Sequence, residues 1–411
     1  MGRLLLLLPT ETYRAHDFME AAGALDVDVA VGSDRPQALA DLTPGKTLAL
    51  SFPTPDAAVR DILAFAETYP LDAILGVDDD SVLLAAMASE ALGLSHNSTA
   101  SVRASRYKHV MRQMLADTGL PSPRFRLFSI QDDPAAAARS VRFPCVLKPV
   151  SLSASRGVIR ADSPDAFTGA FRRIVALLSR PGVATRAGET ADRVLVEDYI
   201  PGEEVVLEGL LAGGALTVLA LFDKPDPLEG PYFEETLYVT PSRLPADRQA
   251  AIRNTTGEAA RALGLREGPV HAELRLNDAG VWIVEIAARS IGGLCSRILR
   301  FGAGISLEEL ILRQAAGLHP GPMQRVEGAA GVMMLPVPKQ GVLRSVRGTD
   351  AAKQVAGIRD VVITIPPGQE VEPLPEGSRY LGFVFAHADR PEEVEAALRE
   401  AYRRLAVTIE P

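Results

Sequence analysis

Two carboxylates lie in neighbouring apolar segments of the sequence HAELRLNDAGVWIVEIAARSIGG, which covers residues 271–293. Glu273 and Glu285 stand on either side of a turn signal at 277–280, so a hairpin register would make them near neighbours. Two such carboxylates repel each other strongly unless a cation or a proton lies between them. Magnesium prefers carboxylate and phosphate oxygens, and Arg289 could stabilise charge on a transferring phosphoryl group. A structural salt bridge between Glu285 and Arg289 is the alternative.

A lysine within an apolar strand is the second candidate. Lys148 stands in PCVLKPV (144–150), where its burial is costly unless an anion meets it. The small-residue segment SLSASRGV (151–158) follows directly, and backbone N–H groups in such a loop can cradle phosphate oxygens. For this pair alone, a lysine that reaches solvent beside an ordinary turn is an equally good interpretation.

The segment EDYIPGEEVVLEGLL (197–211) is the third candidate. It reads as a strand end, a Pro-Gly turn and a second strand, on which Glu204 and Glu208 point to the same face. A carboxylate there could accept hydrogen bonds from ribose hydroxyls, and backbone groups at 198–200 could meet an adenine edge. In isolation, a charged hairpin is the simpler interpretation of this segment.

These candidates need elements that position them. Residues 1 to about 100 alternate short apolar strands with helices, which predicts a doubly wound domain with a parallel sheet. The expected strands are 3–8, 27–31 and 73–77, and the expected helices are 17–24, 57–69 and 81–92. No G-x-G-x-x-G follows the first strand, so a dinucleotide site there is unsupported. The acidic run Asp78-Asp79-Asp80 could face a cleft, but capping of the helix from Ser81 is the favoured account.

The remaining chain alternates strands, helices and two irregular segments. The segment 179–193 is expected to be a mobile surface loop, and 223–245, with five prolines, a long functional loop. The expected strands are 124–129, 145–150, 194–198, 204–211, 216–222, 270–276, 281–287, 331–336, 361–365 and 382–386. The expected helices are 106–120, 246–263 and 392–405.

The ordered set of these residues resembles the ATP-grasp superfamily, in motif detail over about 100–300 and in general layout elsewhere. The set is Lys108, Lys148, the small-residue loop, Glu197 to Glu204, Glu273, Glu285 and Arg289. The resemblance implies that Lys108 and Lys148 contact ATP phosphates and that the loop, with Ser153, Ser155, Gly157 and Val158, closes over them. It implies adenine contacts from Glu197, Asp198, Tyr199 and Ile200, and a ribose contact from Glu204. It also implies Mg²⁺ or Mn²⁺ on Glu273 and Glu285, with Arg289 and Lys148 catalytic.

One departure points to a branch of that superfamily. Many members read E-x-N-x-R at the second metal carboxylate, whereas this chain has Glu285-Ile286-Ala287-Ala288-Arg289, so Ala287 replaces the ligand Asn. This pattern resembles the L-amino acid ligase branch, whose members join amino acids into dipeptides. The stretches GPVHAELRL (268–276) and FDKPDPLEGPYFEET (222–236) strengthen the likeness.

The resemblance implies a mixed α/β and α+β architecture with the ATP-grasp fold. We expect an N-terminal doubly wound domain at 1–105, a nucleotide-binding and catalytic region at 106–318, and a C-terminal α+β subdomain at 319–411. The central region would have two lobes, 106–192 and 193–318, with 151–158 and 179–193 as lids.

The implied reaction activates a carboxylate as an acylphosphate, releases ADP and joins the acyl group to an amine. Within the 223–239 loop, Glu235 could receive a substrate ammonium and Lys224 a carboxylate. His271 lies on the strand face of Glu273, where it could assist deprotonation or serve as a hydrogen-bonded neighbour of the metal site. Ser290, Gly292 and Gly293 could bind the acyl group, leaving space for a sizeable side chain.

Charge and composition exclude several classes. The chain has 411 residues, 43 Lys plus Arg and 52 Asp plus Glu, so its net charge of −9 excludes a broad polyanion-binding surface. Two cysteines fit a reducing compartment, and the five-leucine run near the start is cut by Pro9, which favours a buried strand over a signal peptide. No run approaches a membrane span. We therefore expect a cytoplasmic homodimer that acts on small carboxylates and amines.

Two alternatives remain open at this stage. One is a purine-biosynthetic or biotin-carboxylase-like ATP-grasp enzyme. The other is a nucleotide-binding regulatory protein without catalysis, against which the joint presence of Lys148, Glu273, Glu285 and Arg289 argues.

Overall fold

A parallel sheet between helices forms the N-terminal unit of the computed structural model, which describes residues 2–36 and 45–411. The strands are β1 (Arg3–Leu7), β2 (Asp28–Ser33), β3 (Thr47–Ala49) and β4 (Ala73–Gly76), in the order β3-β2-β1-β4. The helices are α1 (Ala15–Ala24), α2 (Pro55–Thr68) and α3 (Asp79–Leu92). The leucine run is the buried central strand, as the sequence predicts. A Cβ on Gly76 would lie 2.6 Å from the backbone of α3, so the close approach of helix and strand requires glycine.

The helix expected at 106–120 is observed as α5 (Lys108–Asp117). A further helix that the sequence does not predict, α4 (Thr99–Arg106), precedes it, and Tyr107 separates the two. Tyr107 has an extended backbone, and the N–H of Lys108 is donated to the carbonyl of Val150 at 3.2 Å. The break therefore brings the first residue of α5 to the end of the strand that carries Lys148.

An antiparallel sheet forms the next unit. Its strands are β5 (Phe125–Ser129), β6 (Cys145–Pro149), β7 (Ile159–Ala161) and β8 (Arg193–Asp198), in the order β5-β8-β6-β7. Its helices are α6 (Pro134–Ala138), α7 (Pro164–Leu178) and α8 (Pro181–Ala187). The expectation of an irregular loop at 179–193 is wrong, because α8 and a short 3₁₀ helix (Gly188–Thr190) occupy it and bury Val183 and Ala187. These helices are too short to show a sequence period.

An eight-stranded antiparallel sheet joins the centre of the chain to the C-terminal unit. The central elements are β9 (Glu203–Ala212), β10 (Ala215–Asp223), β11 (Leu237–Thr240), α9 (Ala246–Ala262), β12 (Gly268–Asn277), β13 (Gly280–Ala287), β14 (Arg300–Phe301), β15 (Ile305–Ser306) and α10 (Leu307–Ala315). The C-terminal elements are β16 (Ala329–Leu335), β17 (Gly341–Arg347), α11 (Thr349–Lys353), β18 (Ile358–Ile363), β19 (Glu370–Val371), β20 (Gly382–Ala388), α12 (Pro391–Arg403) and β21 (Ala406–Glu410). The sheet order is β13-β12-β9-β10-β11-β16-β20-β18.

The boundary predicted near residue 318 lies between α10 and β16, and one continuous sheet contains strands from both sides of it. Strand β11, which pairs with β16, lies in the proline-rich segment where the sequence showed no period. A buried cluster that includes Leu6, Phe222, Leu310 and Phe383 joins the N-terminal sheet, the large sheet and α10. Within residues 2–36 and 45–411, no helix is both long and apolar enough to cross a membrane.

Candidate active site

A cavity of about 610 Å³ lies where the N-terminal sheet, the antiparallel unit and the large sheet meet. Most of the residues predicted from the sequence line it. They are Lys108, Lys148, Ser153, Ser155, Val158, Glu197, Asp198, Tyr199, Ile200, Glu204, Glu235, His271, Glu273, Glu285, Arg289, Gly292 and Gly293. Three other predicted residues are not part of this lining, namely Gly157, Lys224 and Ser290. Their contacts, described below, explain why.

Glu273 and Glu285 face each other directly across β12 and β13, which confirms their predicted adjacency. Each side chain is 21% exposed. A carboxylate oxygen of Glu285 lies 3.2 Å from the ammonium of Lys108, and one of Glu273 lies 3.5 Å from that of Lys224. Burial would raise the pKa of Glu273, but Lys224 and His271 hold it well below its usual range. Two adjacent carboxylates, at least one firmly ionised, form a donor set that fits a divalent cation.

Arg289 binds the N-terminal unit, so the alternative of a Glu285–Arg289 salt bridge is wrong. Its Nε and Nη2 donate to the two carboxylate oxygens of Asp79 at 2.9 and 2.8 Å. Burial opposes ionisation of Asp79, yet Arg289 outweighs it and lowers the pKa of Asp79 to about 2. Helix capping, the favoured account of the acidic run, is right for Asp78, which forms a capping box with Ser81. Asp79 instead fixes the guanidinium at the cavity wall.

Lys148 is buried and paired, which rules out the solvent-reaching alternative. Its ammonium lies 2.6 Å from Glu197, which also accepts from Nε of Arg112 at 2.7 Å. Burial would raise the pKa of Glu197, but Arg112 and Lys148 lower it to about 2. Arg112 donates further to the carbonyls of Ile283 and Val284, so this network ties the antiparallel unit to β13. The carboxylate of Glu197 is occupied by these two cations, and its backbone lies within the strand ladder between β5 and β6.

The small-residue loop 151–158 has an unusual backbone. Ala154 and Ser155 both have φ near +55°, at 56° and 52°. Within the described chain, the N–H groups of 153–155 have no hydrogen-bond acceptor, whereas that of Gly157 is donated to the carbonyl of Pro375 at 2.7 Å. The ammonium of Lys108 donates to the carbonyl of Leu152 at 2.9 Å. The loop therefore has three successive N–H groups that could donate hydrogen bonds to an anion. The N–H of Gly157 is not one of them.

Lys224 and Glu235 bind each other, so neither is free for the substrate role predicted from the sequence. The ammonium of Lys224 contacts Glu235, lies 2.7 Å from Glu204, and sits 5.2 Å from the centre of the Tyr238 ring. The carboxylates of Glu204, Glu235 and Glu273 are close enough together to hold a metal ion, but this ammonium contacts all three. Burial would lower the pKa of Lys224, but the three carboxylates hold it well above its usual range.

His271 is a hydrogen-bonded neighbour of the carboxylate pair. Its Nδ1 lies 3.0 Å from Glu208 and its Nε2 lies 3.6 Å from Glu273. Burial would lower the pKa of His271, but these two carboxylates raise it to about 9. The carboxylates therefore favour the protonated ring, which lies beside Glu273. Ala287, which occupies the position where many ATP-grasp members have Asn, lies directly opposite His271 and is buried.

Two arginines at the site carried no signal in the sequence. Arg275 donates from Nε to Glu204 at 2.8 Å and from Nη1 to the carbonyl of Ile200 at 2.8 Å, so Glu204 has two cationic partners before any ribose binds. Arg14, which is fully buried, donates to the hydroxyl of Ser290 at 2.6 Å. The expected contact between Ser290 and an acyl group is therefore not supported by the structure. Partners this far apart in sequence leave no local pattern.

Comparison with known proteins identifies the fold. An ATP-grasp N-terminal domain matches residues 19–96, an ATP-grasp domain matches 141–298, and L-amino acid ligase C-terminal domain 2 matches 333–410. A crystal structure of an L-amino acid ligase from Bacillus licheniformis superposes with a TM-score of 0.84 at 25% identity, covering 100% of this chain and 99% of that one.

Curated relatives agree with this assignment. Alanine–anticapsin ligase of Bacillus subtilis is 26% identical over 62% of this chain and 56% of its own length. Carnosine synthase 1 of Gallus gallus is 31% identical over 75% of this chain and 34% of its own length. The chain spans between 56% and 61% of the length of the first curated relatives it matches.

The fold is therefore that of an ATP-grasp protein, as the sequence predicted. The chain belongs to the ATP-grasp superfamily, and within it the C-terminal unit and the overall superposition resemble the L-amino acid ligase branch.

Proposed function

We propose that this protein is an ATP-dependent ligase that joins a carboxylate to an amine and forms ADP, with amino acids as both substrates. The observation that carries the proposal is the pair Glu273 and Glu285, which face the cavity beside Lys108, Lys148 and Arg289. Carboxylates for a divalent cation next to fixed cations are the parts that phosphoryl transfer requires. The names of the relatives, alanine–anticapsin ligase and L-amino acid ligase, support the amino acid substrates.

The reaction proceeds in two balanced steps. A carboxylate oxygen of the first substrate attacks the γ-phosphorus of ATP, the bond from that phosphorus to the bridging oxygen breaks, and ADP leaves. The amine of the second substrate then attacks the acyl carbon, inorganic phosphate leaves, and the amine loses a proton to solvent. Glu273 and Glu285 would hold a magnesium ion, which would supply positive charge that offsets the charge of the phosphates.

The chain's own residues bind and orient the reacting groups. Lys108 and Lys148 hold phosphate oxygens, since both residues line the cavity. The free N–H groups of 153–155 cover the terminal phosphate. Arg289, fixed by Asp79, stabilises charge on the transferring group. His271 lies between Glu208 and Glu273, so it orients the carboxylate of Glu273.

Part of the cavity lining indicates the kind of side chain that would fit. Gly292 and Gly293 line the cavity together with the aromatic residues Tyr13, Tyr238 and Tyr380. Because the glycines have no side chains, this lining leaves room for a large, mainly apolar side chain. We therefore propose that at least one substrate is a bulky apolar amino acid.

The test is an incubation of the protein with Mg·ATP and a panel of amino acids, singly and in pairs, followed by phosphate release and product mass. We expect ADP formation that depends on a pair and yields a mass equal to the two acids less one water. If no carboxylate drives ADP formation, the ligase proposal fails. If bicarbonate alone drives it, the protein is instead a carboxylase-like enzyme.

Replacement of Glu285 tests the carboxylate pair. We expect Glu285→Ala to lower turnover at least about a thousandfold, because one of two cation ligands is lost at the site of phosphoryl transfer. The fold should persist, because Glu285 lies at the cavity wall and its one ion pair within residues 2–36 and 45–411 is with Lys108. Circular dichroism checks the fold, and unchanged activity would remove the metal assignment.

A further inference from the structure

The segment 372–380, which links β19 to β20 in the C-terminal unit, contacts the small-residue loop directly. The N–H of Gly157 donates to the carbonyl of Pro375 at 2.7 Å, and Nε of Arg156 donates to the carbonyl of Glu376 at 2.7 Å. A Cβ on Gly157 would lie 2.7 Å from Pro149, so the loop backbone has little freedom on its inner side. The loop is thus held between β6 and the segment.

Two ion pairs reinforce this contact from outside the cavity. Arg180, just after α7, donates to both carboxylate oxygens of Glu372 at 2.7 and 2.9 Å. Arg173, within α7, makes a two-point contact with Glu376, in which Nη2 lies 2.8 Å from Oε2. Both arginines belong to the antiparallel unit that carries the loop, so four interactions bind that unit to one short segment.

We propose that segment 372–376 positions the small-residue loop over the nucleotide and keeps it closed while the acylphosphate exists, with Glu372 and Glu376 as positioning residues. The inference rests on the proposed ligase function. The segment contacts the loop through the N–H of Gly157, whereas the N–H groups of 153–155, in residues that line the cavity, donate to no acceptor in the described chain. Ala154 lines both the main cavity and a smaller one under 372–380, so the segment lies directly behind the loop.

The strength of the contact suits a closure that must reopen in every cycle. ATP has to enter and ADP has to leave, whereas water must be excluded in between, because it would convert the acylphosphate to carboxylate and phosphate. The arginine side chains are 43% and 42% exposed, and exposed ion pairs are individually weak and screened by salt. Closure should therefore weaken as salt concentration rises.

The first test measures coupling in the double variant Glu372→Gln/Glu376→Gln. The readout is the ratio of ADP formed to amide product formed. We expect this ratio to rise about fivefold over wild type, the size expected when two exposed ion pairs are lost. Glu410→Gln is the matched control, because Glu410 forms an exposed 2.7 Å pair with Arg344 in the same unit, away from the loop. An unchanged ratio, or an equal rise in the control, overturns the proposal.

Exchanging the charges of Arg180 and Glu372 distinguishes loss of their specific contact from a general disturbance of the fold. Arg180→Glu should uncouple the reaction, and adding Glu372→Arg should restore at least half of the coupling, because Arg180 and Glu372 pair with each other. In wild type the ratio should rise between about 0.15 and 1 M salt, where screening becomes strong, and it should rise less in the double glutamine variant. Failure of the exchange to restore coupling contradicts the assignment of Glu372.

Hydrogen exchange tests the docking without any reaction. The amide of Gly157 should exchange slowly in wild type and at least about threefold faster in the double glutamine variant, since its acceptor lies in the released segment. If wild type forms no amide product from any substrate pair, the ligase proposal fails, yet this measurement still decides whether the segment holds the loop. Equal exchange in both proteins overturns the closure itself.

Discussion

Replacement of Glu197 tests how much a buried, paired carboxylate contributes to the free energy of unfolding, compared with a solvent-exposed one. It is buried, and it accepts from two cations, Lys148 and Arg112. Its pKa falls from an ordinary value of 4.5 to about 2. This lowering of the pKa means that ionised Glu197 contributes about 3 kcal/mol to the free energy of unfolding at neutral pH. Glu197→Gln should therefore destabilise the protein by about 3 kcal/mol, the range seen when a buried pair is broken.

The pH dependence has a definite sign. Since the folded-state pKa is the lower one, the stabilisation is complete above about pH 4.5 and is lost as the pH falls towards about 2. Near pH 3.5 roughly 1 kcal/mol of it should already be gone. The difference in unfolding free energy between wild type and Glu197→Gln should shrink by that amount.

Urea unfolding, monitored by tryptophan fluorescence, measures this difference in unfolding free energy. The single tryptophan, Trp282, adjoins Ile283, whose carbonyl accepts a hydrogen bond from Arg112, so its signal reports on the region concerned. Glu203→Gln is the control, because Glu203 pairs with Arg248 at an exposed site, and its effect should stay below about 1 kcal/mol. A difference below about 1 kcal/mol for Glu197→Gln at neutral pH, or one that does not depend on pH, would refute the reasoning.

Four further substitutions test other parts of the structure. Gly76→Ala should destabilise the N-terminal unit by about 2 kcal/mol in thermal melts, because the new Cβ would meet helix backbone, whereas Gly23→Ala, with open space around it, should stabilise by about 0.5–1 kcal/mol. Asp79→Asn should lower kcat about tenfold to a hundredfold with the fold intact, because the guanidinium of Arg289 loses its anchor; unchanged kcat would contradict this. Lys224→Ala should remove the ammonium that contacts the carboxylates of Glu204, Glu235 and Glu273, so addition of Mn²⁺ without ATP should raise the melting temperature of this variant more than that of wild type.

Local patterns predicted the elements and the residues whose chemistry is visible within one segment. The hairpin turn at 277–280 sufficed to place Glu273 beside Glu285, and the apolar run at 3–8 sufficed to identify β1. Most predicted strands and helices differ from the observed ones by only a few residues at each end. The proposed roles of these residues in ATP and metal binding remain predictions.

Interactions between distant segments could not be predicted. Arg289 and Asp79 are 210 residues apart, and Arg14 and Ser290 are 276 apart, so no periodicity connects them. The same limit explains why the sequence predicts that Lys224 binds a substrate carboxylate, because its partner Glu204 lies on another strand. Lone charges in a sequence carry no information on whether their counter-charge is a ligand or another side chain.

The pairing of β11 with β16 has a consequence for attempts to exchange parts between related ligases. The C-terminal portion is attached through a four-residue register from Leu237–Met333 to Thr240–Ala330, within one hydrogen-bonded sheet. A recombinant that receives this portion from a homologue must match both the register and the side-chain alternation of β11, since a slip of one residue would turn every side chain to the opposite face. Grafts that start before β11 should therefore yield folded hybrids more often than grafts that start after it.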